Sequence, residues 1–473
     1  VRFGKVRCLH FVGIGGSGMS GLAEIVASLG FRVSGSDAKR SEVTDRLAAL
    51  GVTVRIGHAA DNVGDADTVV FTSAARPDNP ELVRARARRI PVIARAELLA
   101  ELMRLRFGIA VAGAHGKTTT TSMIALVLER AGLDPTAVIG GRLSAFGSNS
   151  RLGRGDYMVA EADESDRSFL LLWPSIAVLT NVDREHMEAY GSFADLQQSF
   201  VDFANKVPFY GAVVACVDDP VLATILPRFT RRVITYGITR DDAEIGAREV
   251  ALEGFGSVST VLRRARDTQP EVLGELRLSV PGRHSVQNAL AAIAVGLELD
   301  VPFARIASAL SEFAGAERRF QLHGTVNGIT VIDDYGHHPT ELATVMAAAR
   351  AAQPSRILVA FQPHRYTRTR DLMREFGMAL APADEVVLTD IYAASEEPIP
   401  GVTVEALAAA MNAARSRPVR VVKAVDDVAA TLAALAAPGD LLITMGAGSI
   451  GTVPGRVIEE LKKRFEQPRE GGG

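Results

Sequence analysis

The sequence of 473 residues predicts an α/β protein of about three domains, each a mostly parallel sheet covered by helices. Three observations carry this expectation. Two apolar runs, at residues 6–12 and 107–112, each lead into a glycine turn and then a helical pattern. Four further apolar runs of strand length recur after residue 316, with helical patterns between them. Composition is ordinary for an enzyme, 47% apolar and 23% charged, with enough apolar residues to fill several cores.

Charge and cysteine content narrow the function. A net charge of −3 argues against a dedicated nucleic-acid binder. The basic cluster at residues 84–89 reads as the solvated face of a helix. Cys8 and Cys216 both fall inside apolar runs and read as small core residues in a reducing compartment, not as a disulfide. No apolar run reaches the ~18–20 residues of a membrane span, and no signal peptide opens the sequence. A cytoplasmic protein without nucleic-acid or membrane partners is expected.

The first domain is assigned to residues 1–107. After the strand at 6–12, Gly13-Ile14-Gly15-Gly16-Ser17-Gly18 opens a helix over 19–29, and a second strand over 31–37 ends on Asp37. This is the G-x-G-x-x-G spacing of a Rossmann-type unit. Its small residues let backbone N–H groups meet a diphosphate at a helix N-terminus, and the acid is placed for ribose hydroxyls. The motif does not say which nucleotide, so a nicotinamide-dependent dehydrogenase is a reading of this domain alone. Strands over 68–73 and 91–93 follow.

The central domain is assigned to residues 108–315. Its strand at 107–112 runs into Gly113-Ala114-His115-Gly116-Lys117-Thr118-Thr119 and a helix over 122–130. Strand, glycine turn, Lys-Thr and helix form the layout of a phosphate-binding loop. Lys117 would reach the β- and γ-phosphates of a nucleoside triphosphate, and the Thr118 hydroxyl would sit on Mg²⁺. The general pattern G-x-x-x-x-G-K-[ST] is not met, because Val111 stands where it requires glycine; the loop is shorter by two residues. Two more strands, 157–160 and 176–179, end on Glu161-Ala162-Asp163-Glu164-Ser165-Asp166 and on Thr180-Asn181-Val182-Asp183-Arg184-Glu185-His186. Ligands of open α/β sheets collect at such carboxyl ends, and carboxylate oxygen suits Mg²⁺. Residues 243–275 read as antiparallel strands at an edge, and an alanine-rich helix is expected over 289–299.

The third domain is assigned to residues 316–473, with strands at 330–334, 357–361, 385–389 and 441–445. Their ends carry Asp334 with His337 and His338, then His364, Arg365 and Arg368, then Gly446-Ala447-Gly448. The alanine-rich stretches 347–352 and 429–437 read as helices, and residues 466–473 as a disordered tail.

These segments together resemble the Mur ligase family over nearly the whole length. The resemblance rests on GIGGSGMS from Gly13, AGAHGKTTTT from Ala112, EADESD from Glu161, TNVDREH from Thr180, VPGRH from Val280, RRFQ from Arg318, DDYGHHPTE from Asp333, FQPHRYTRTR from Phe361 and the glycines near the end. The DDYGHHPTE and FQPHRYTRTR segments resemble the alanine-adding member, with a murein-recycling ligase as the alternative.

The resemblance implies a Rossmann-like UDP-binding domain, a central P-loop ATPase-like domain and a Rossmann-like C-terminal domain that takes the amino acid. It implies that Gly13, Gly15, Gly16, Ser17, Gly18, Asp37, Ser73 and His115 bind the UDP-sugar, and that Gly113 through Thr119 with Asn288, Arg319 and Asp334 bind ATP. Thr118 and Glu161 would hold one Mg²⁺, and His186 with Glu161 a second. Lys117, Glu161, His186, Arg319 and His338 would be catalytic, and His337, Arg365 and Arg368 would meet the amino acid. The implied substrates are UDP-N-acetylmuramate, L-alanine and ATP, joined through an acyl phosphate in cytoplasmic peptidoglycan precursor synthesis by a monomer or weak homodimer.

The sequence departs from the family pattern in three places. Ala114 stands for a usual Thr, Ser285 for a usual Asn and Arg167 for a usual Gly. No Lys lies between His186 and Lys206, so no carbamylated lysine is expected there.

Overall fold

The computed structural model describes residues 3–466 except 73, 144–147, 186, 266–267, 395, 414 and 416. Ser73, His186 and residues 467–473 of the expected tail therefore lie outside the described residues, as does the side chain of Ser17. The chain falls into two compact units. One comprises Val1–Glu249, Ser259–Arg277 and Val286–Ala314; the other comprises Val250–Val258, Leu278–Ser285 and Gly315–Gly473. No helix among the described residues is long and apolar enough to cross a membrane.

The first unit opens with a five-stranded sheet of order β3-β2-β1-β4-β5. Its strands are β1 (Cys8–Val12), β2 (Arg32–Asp37), β3 (Thr53–Ile56), β4 (Thr68–Phe71) and β5 (Val92–Ala94), and all neighbours are parallel. Its helices are α1 (Ser17–Ser28), α2 (Glu42–Ala49), α3 (Pro80–Ala87) and α4 (Arg95–Met103). β1 is buried along its whole length, as expected of a central parallel strand with both faces covered. The exposed arginines of the 84–89 cluster end α3 and follow it, as the sequence predicts. β3 is absent from the sequence-based reading: an edge strand with a mostly exposed Thr-Val-Arg-Ile pattern carries little apolar signal.

A ten-stranded sheet follows, in the order β15-β14-β13-β12-β11-β10-β6-β9-β7-β8. It is built from β6 (Phe107–Ala112), β7 (Thr136–Leu143), β8 (Ser148–Arg151), β9 (Tyr157–Glu161), β10 (Ile176–Leu179), β11 (Ala212–Cys216), β12 (Val233–Gly237), β13 (Ile245–Glu253), β14 (Gly256–Arg263) and β15 (Glu271–Leu278). The strands expected over 243–275 do sit at its edge. Ile109, Val111, Val178 and Leu179 are fully buried at its centre, each worth about 1.5–3 kcal/mol of burial. Its helices are α5 (Lys117–Arg130), α6 (Phe193–Asn205), α7 (Pro220–Ile225), α8 (Arg283–Glu298) and α9 (Phe303–Ser311). α8 begins six residues before the expected start, because the polar Arg283-His284-Ser285 turn is already helical behind the positive-φ Gly282. Cys8 and Cys216 are buried free thiols.

The second unit holds a six-stranded sheet, β16-β17-β21-β18-β19-β20. Its strands are β16 (Gln321–Val326), β17 (Ile329–Asp334), β18 (Ile357–Phe361), β19 (Glu385–Leu388), β20 (Arg420–Val421) and β21 (Leu441–Met445). All pairs are parallel except the edge pair β16–β17. Helices α10 (Pro339–Ala351) and α11 (Tyr366–Asp371) follow β17 and β18. The four expected strands are present; the missed ones, β16 and β20, are exposed or only two residues long.

One buried charge stands out in the first unit. Glu81 of α3 is fully buried, and burial pushes its carboxyl up. Hydrogen bonds from His10, Ser36 and Asn62 outweigh that and hold it at about 2, below its ordinary 4.5. A depressed carboxyl contributes stability above its unfolded value and loses it as pH falls through the folded value. The ionised Glu81 therefore contributes about 3 kcal/mol near neutral pH, lost between roughly pH 5 and 2. The stability gap between the wild-type chain and Glu81→Gln, measured by denaturant titration, is expected to close over that range; a gap of constant size would contradict the assignment.

Candidate functional site

The glycine turn after β1 is shaped by close contacts. Gly13 has φ +79°, and a Cβ there would lie 2.8 Å from Thr72 Cγ2. The N–H groups of Gly13 and Ile14 both donate to Ser36 O at 2.9 Å. Gly15 N–H donates to Asp37 Oδ2 at 2.9 Å, and Lys39 N–H donates to Asp37 Oδ1 at 3.3 Å. Asp37 thus stitches the turn to the end of β2. α1 starts directly from the turn, two residues earlier than its first apolar residue suggests.

The second glycine loop is held from the next strand. β9 and β10 flank β6, pairing Glu161 with Val111 and Leu179 with Ala112, so their ends converge beside the loop. Gly113 has φ +143°, and a Cβ would collide with Thr180 Oγ1 at 2.0 Å. Gly116 has φ +82°, with Asn288 Oδ1 2.8 Å from where its Cβ would be. Thr180 Oγ1 and Asn181 Nδ2 donate to His115 O, and His115 N–H donates to Asn181 Oδ1 at 2.8 Å. His115 Nε2 lies 3.1 Å from Asp183 Oδ2. α5 begins at Lys117, and its first turn directs N–H groups out of the helix end, where partial positive charge gathers.

Lys117 Nζ donates to Gly113 O at 2.5 Å and to both Glu164 oxygens at 2.9 Å. Burial favours the neutral amine, but Glu164, Asp163 and Glu161 outweigh it and hold Lys117 protonated. A cavity of about 330 Å³ joins the two loops: Gly16, Gly18, Thr72, Arg95, Lys117, Glu161 and Asp163 all line it.

The residues fit a polyphosphate and a hard cation. The loop admits only glycine at 113 and 116, and Lys117 stands at the helix end. The Thr120, Thr121 and Ser122 hydroxyls behind it are buried without a hydrogen-bond partner among the described residues. Hydroxyl and carboxylate oxygens, which Thr118 and Glu161 carry, are donor types that suit Mg²⁺.

In the second unit β17, β21 and β18 align Asp334, Met445 and Phe361, which brings the polar strand ends side by side. Asp334 is buried, accepting N–H groups of Phe320 (2.7 Å) and Gly336 (2.6 Å); burial raises its carboxyl to about 6. Arg319 lies 3.3 Å from Glu341 and over the Tyr335 ring. Glu341 Oε2 accepts the N–H groups of His337 and His338 and so caps α10. Burial lowers His337 to about 3 and His364 to about 4, with the Arg368 charge adding to both.

Arg365 and Arg368 do not share a helical face. Arg365 precedes α11 at φ +70°, and only Arg368 is inside the helix. Arg368 carries a guanidinium nitrogen that is buried with no partner among the described residues, and Asp371 pairs with Arg370 instead.

Comparison with known proteins gives these sites a context. The chain matches three family descriptions in succession: the Mur ligase catalytic domain over residues 9–107, the Mur ligase middle domain over 111–296 and the Mur ligase glutamate ligase domain over 318–448. The chain belongs to the Mur ligase family. It is 52% identical to the UDP-N-acetylmuramate–L-alanine ligase of Geobacter sulfurreducens over 450 residues, 95% of this chain and 96% of that one. It is 53% identical to the ligase of the same name from Koribacter versatilis, covering 98% of this chain and 99% of that one. Among solved structures it is similar to UDP-N-acetylmuramate-alanine ligase from Thermotoga maritima, with TM-score 0.81, 30% identity and coverage of 96% and 99%. A murein peptide ligase from Psychrobacter arcticus matches at TM-score 0.71 and 26% identity, covering 96% of this chain and 98% of that one.

Two departures from the usual Mur ligase sequence now have a local account. Arg167 sits at φ +63°, where glycine is at ease, and is held by Asp195 at 2.8 Å and by the Tyr190 ring. Ser285 donates to Pro281 O at 2.6 Å and closes its own turn. Several residues that the structure places beside the two loops were not singled out in the sequence. Arg95 opens α4 and reaches the cavity from a segment with no motif. Glu164 and Asp183 lie in recognised acid runs, but nothing in spacing ranked them above their neighbours.

Proposed function

We propose that this chain joins L-alanine to the lactyl carboxylate of UDP-N-acetylmuramate, using ATP and forming ADP and phosphate. The observation that supports it best is a cavity lined both by the glycine turn of α1 and by Lys117 and Glu161. A sugar nucleotide held by its diphosphate at the turn would extend its sugar toward the loop that holds the triphosphate.

In the first step a lactyl carboxylate oxygen attacks the γ-phosphorus and the bond to the β,γ-bridging oxygen breaks, giving an acyl phosphate and ADP. In the second the neutral amine of L-alanine attacks the acyl carbon, the carbon–oxygen bond to phosphate breaks and the nitrogen loses a proton. Both partners of the first step are anionic. Lys117, kept protonated by its acidic neighbours, would offset that repulsion and follow the charge onto the transferring phosphoryl group. Mg²⁺ held by Thr118 and Glu161 would neutralise further phosphate charge. Arg319 would meet the γ-phosphate, Asp334 the ribose and Asn288 the adenine. A ring that stays neutral down to about pH 3 accepts protons poorly, so His337 suits hydrogen bonding to substrate, with His186 and His338 as the candidates for the base.

Phosphate release from ATP, assayed against a panel of UDP-sugars and amino acids, tests this reading. Release should require UDP-N-acetylmuramate and L-alanine together; release independent of the sugar nucleotide would overturn it. Glu161→Ala is expected to raise the Mg²⁺ concentration for half-maximal rate. An unchanged Mg²⁺ titration would place the metal elsewhere.

A further inference from the structure

Glu81 lies outside the cavity and takes no part in the steps above, yet it is a fully buried carboxylate with every acceptor position engaged. Ser36 Oγ donates to Oε2 at 2.6 Å, Asn62 Nδ2 to Oε1 at 2.6 Å and Ala59 N–H to Oε1 at 3.2 Å. His10 Nε2, on β1, lies 3.4 Å from Oε2. Because the Ser36 hydroxyl gives its proton to Glu81, its oxygen accepts from His58 Nδ1 at 3.0 Å. A carboxylate taken out of water is costly, and this one is compensated only while all these donors stay in place.

Ser36 is the outlet of this network toward the nucleotide site. Its side chain faces Glu81, while its carbonyl accepts both Gly13 and Ile14 N–H groups of the turn that opens α1. The neighbouring Gly35 leaves no slack: a Cβ there would lie 2.6 Å from Ile14 Cδ1 and 2.7 Å from Phe11 O. The end of β2 and the turn are therefore in direct contact, and a shift of Ser36 moves the turn with it.

We propose that Glu81 is a positioning residue for the sugar-nucleotide site. Acting through Ser36, it sets the glycine turn so that the N–H groups at the start of α1 meet the diphosphate of a uridine nucleotide. This rests on the reading of the first glycine turn as the UDP site.

Calorimetric titration of the full chain with UDP, and separately with ATP, tests it. Glu81→Gln keeps the size of the side chain but sets an NH₂ group against donors, either Ser36 and His10 or Asn62 and Ala59. The expected result is a UDP Kd raised on the order of tenfold with the ATP Kd within about twofold, and a raised KM for the UDP-sugar at little-changed kcat. A UDP Kd equal to wild type in folded Glu81→Gln, or an equal loss for both nucleotides, would overturn the inference. Should Glu81→Gln fail to fold, Ser36→Ala, which keeps the carbonyl and loses only the hydroxyl, is expected to shift UDP in the same direction by about threefold, and no shift would overturn the inference. A wild-type chain that binds ATP but not UDP would overturn the underlying reading, and the inference with it.

Discussion

Lys117→Ala is expected to lower kcat on the order of 10³-fold or more. Lys117 places a cation at the head of α5, directed into the loop by Gly113 O and Ala114 O, and the transferring phosphoryl group would take up its charge. The substitution has a second consequence. Glu164, with a side chain only 4% exposed, loses its partner, and stranding one half of a buried pair costs about 3–5 kcal/mol. The two effects separate in the double variant Lys117→Ala/Glu164→Gln, which removes the stranded charge. Thermal stability should recover there while kcat stays low. Near-normal kcat in either folded variant would contradict the role given to the loop.

Arg368→Ala is expected to raise the KM for L-alanine by about 30-fold or more and the KM for ATP little. Truncating one arm of a desolvated, hydrogen-bonded charge pair costs about 2–5 kcal/mol. Arg368 meets the conditions for such a pair: a buried nitrogen without a partner among the described residues, and neighbours His337 and His364 that burial keeps neutral. A guanidinium presents a fork that matches a carboxylate, which free L-alanine carries. Steady-state kinetics with each substrate varied in turn would decide, and an unchanged alanine KM would contradict the assignment.

Much of the fold was legible because its central strands are continuous apolar runs. β6, β18 and β21 carry the bounds the sequence predicts, since a strand buried on both faces has no polar positions to blur it. What stayed hidden was what the environment determines. β3, β16 and β20 lie at or near edges and look like loops. Gly13, Gly113, Gly116, Lys117 and Asp334 were legible because turns and strand ends constrain residue type. Arg95 and Glu81 were not, since an isolated Arg or Glu on a helix reads as solvated until its surroundings are known, and nothing in the acid run after β9 marked Glu164 as the partner of Lys117.

The central claim is that phosphate leaves through an acyl phosphate on the lactyl carboxylate. The most direct test uses UDP-N-acetylmuramate labelled with ¹⁸O in that carboxylate, together with ATP and L-alanine, and reads the products by mass spectrometry. The account predicts one ¹⁸O in each released phosphate and the other retained in the new amide, with ADP as the nucleotide product. Unlabelled phosphate, or AMP with pyrophosphate, would contradict it.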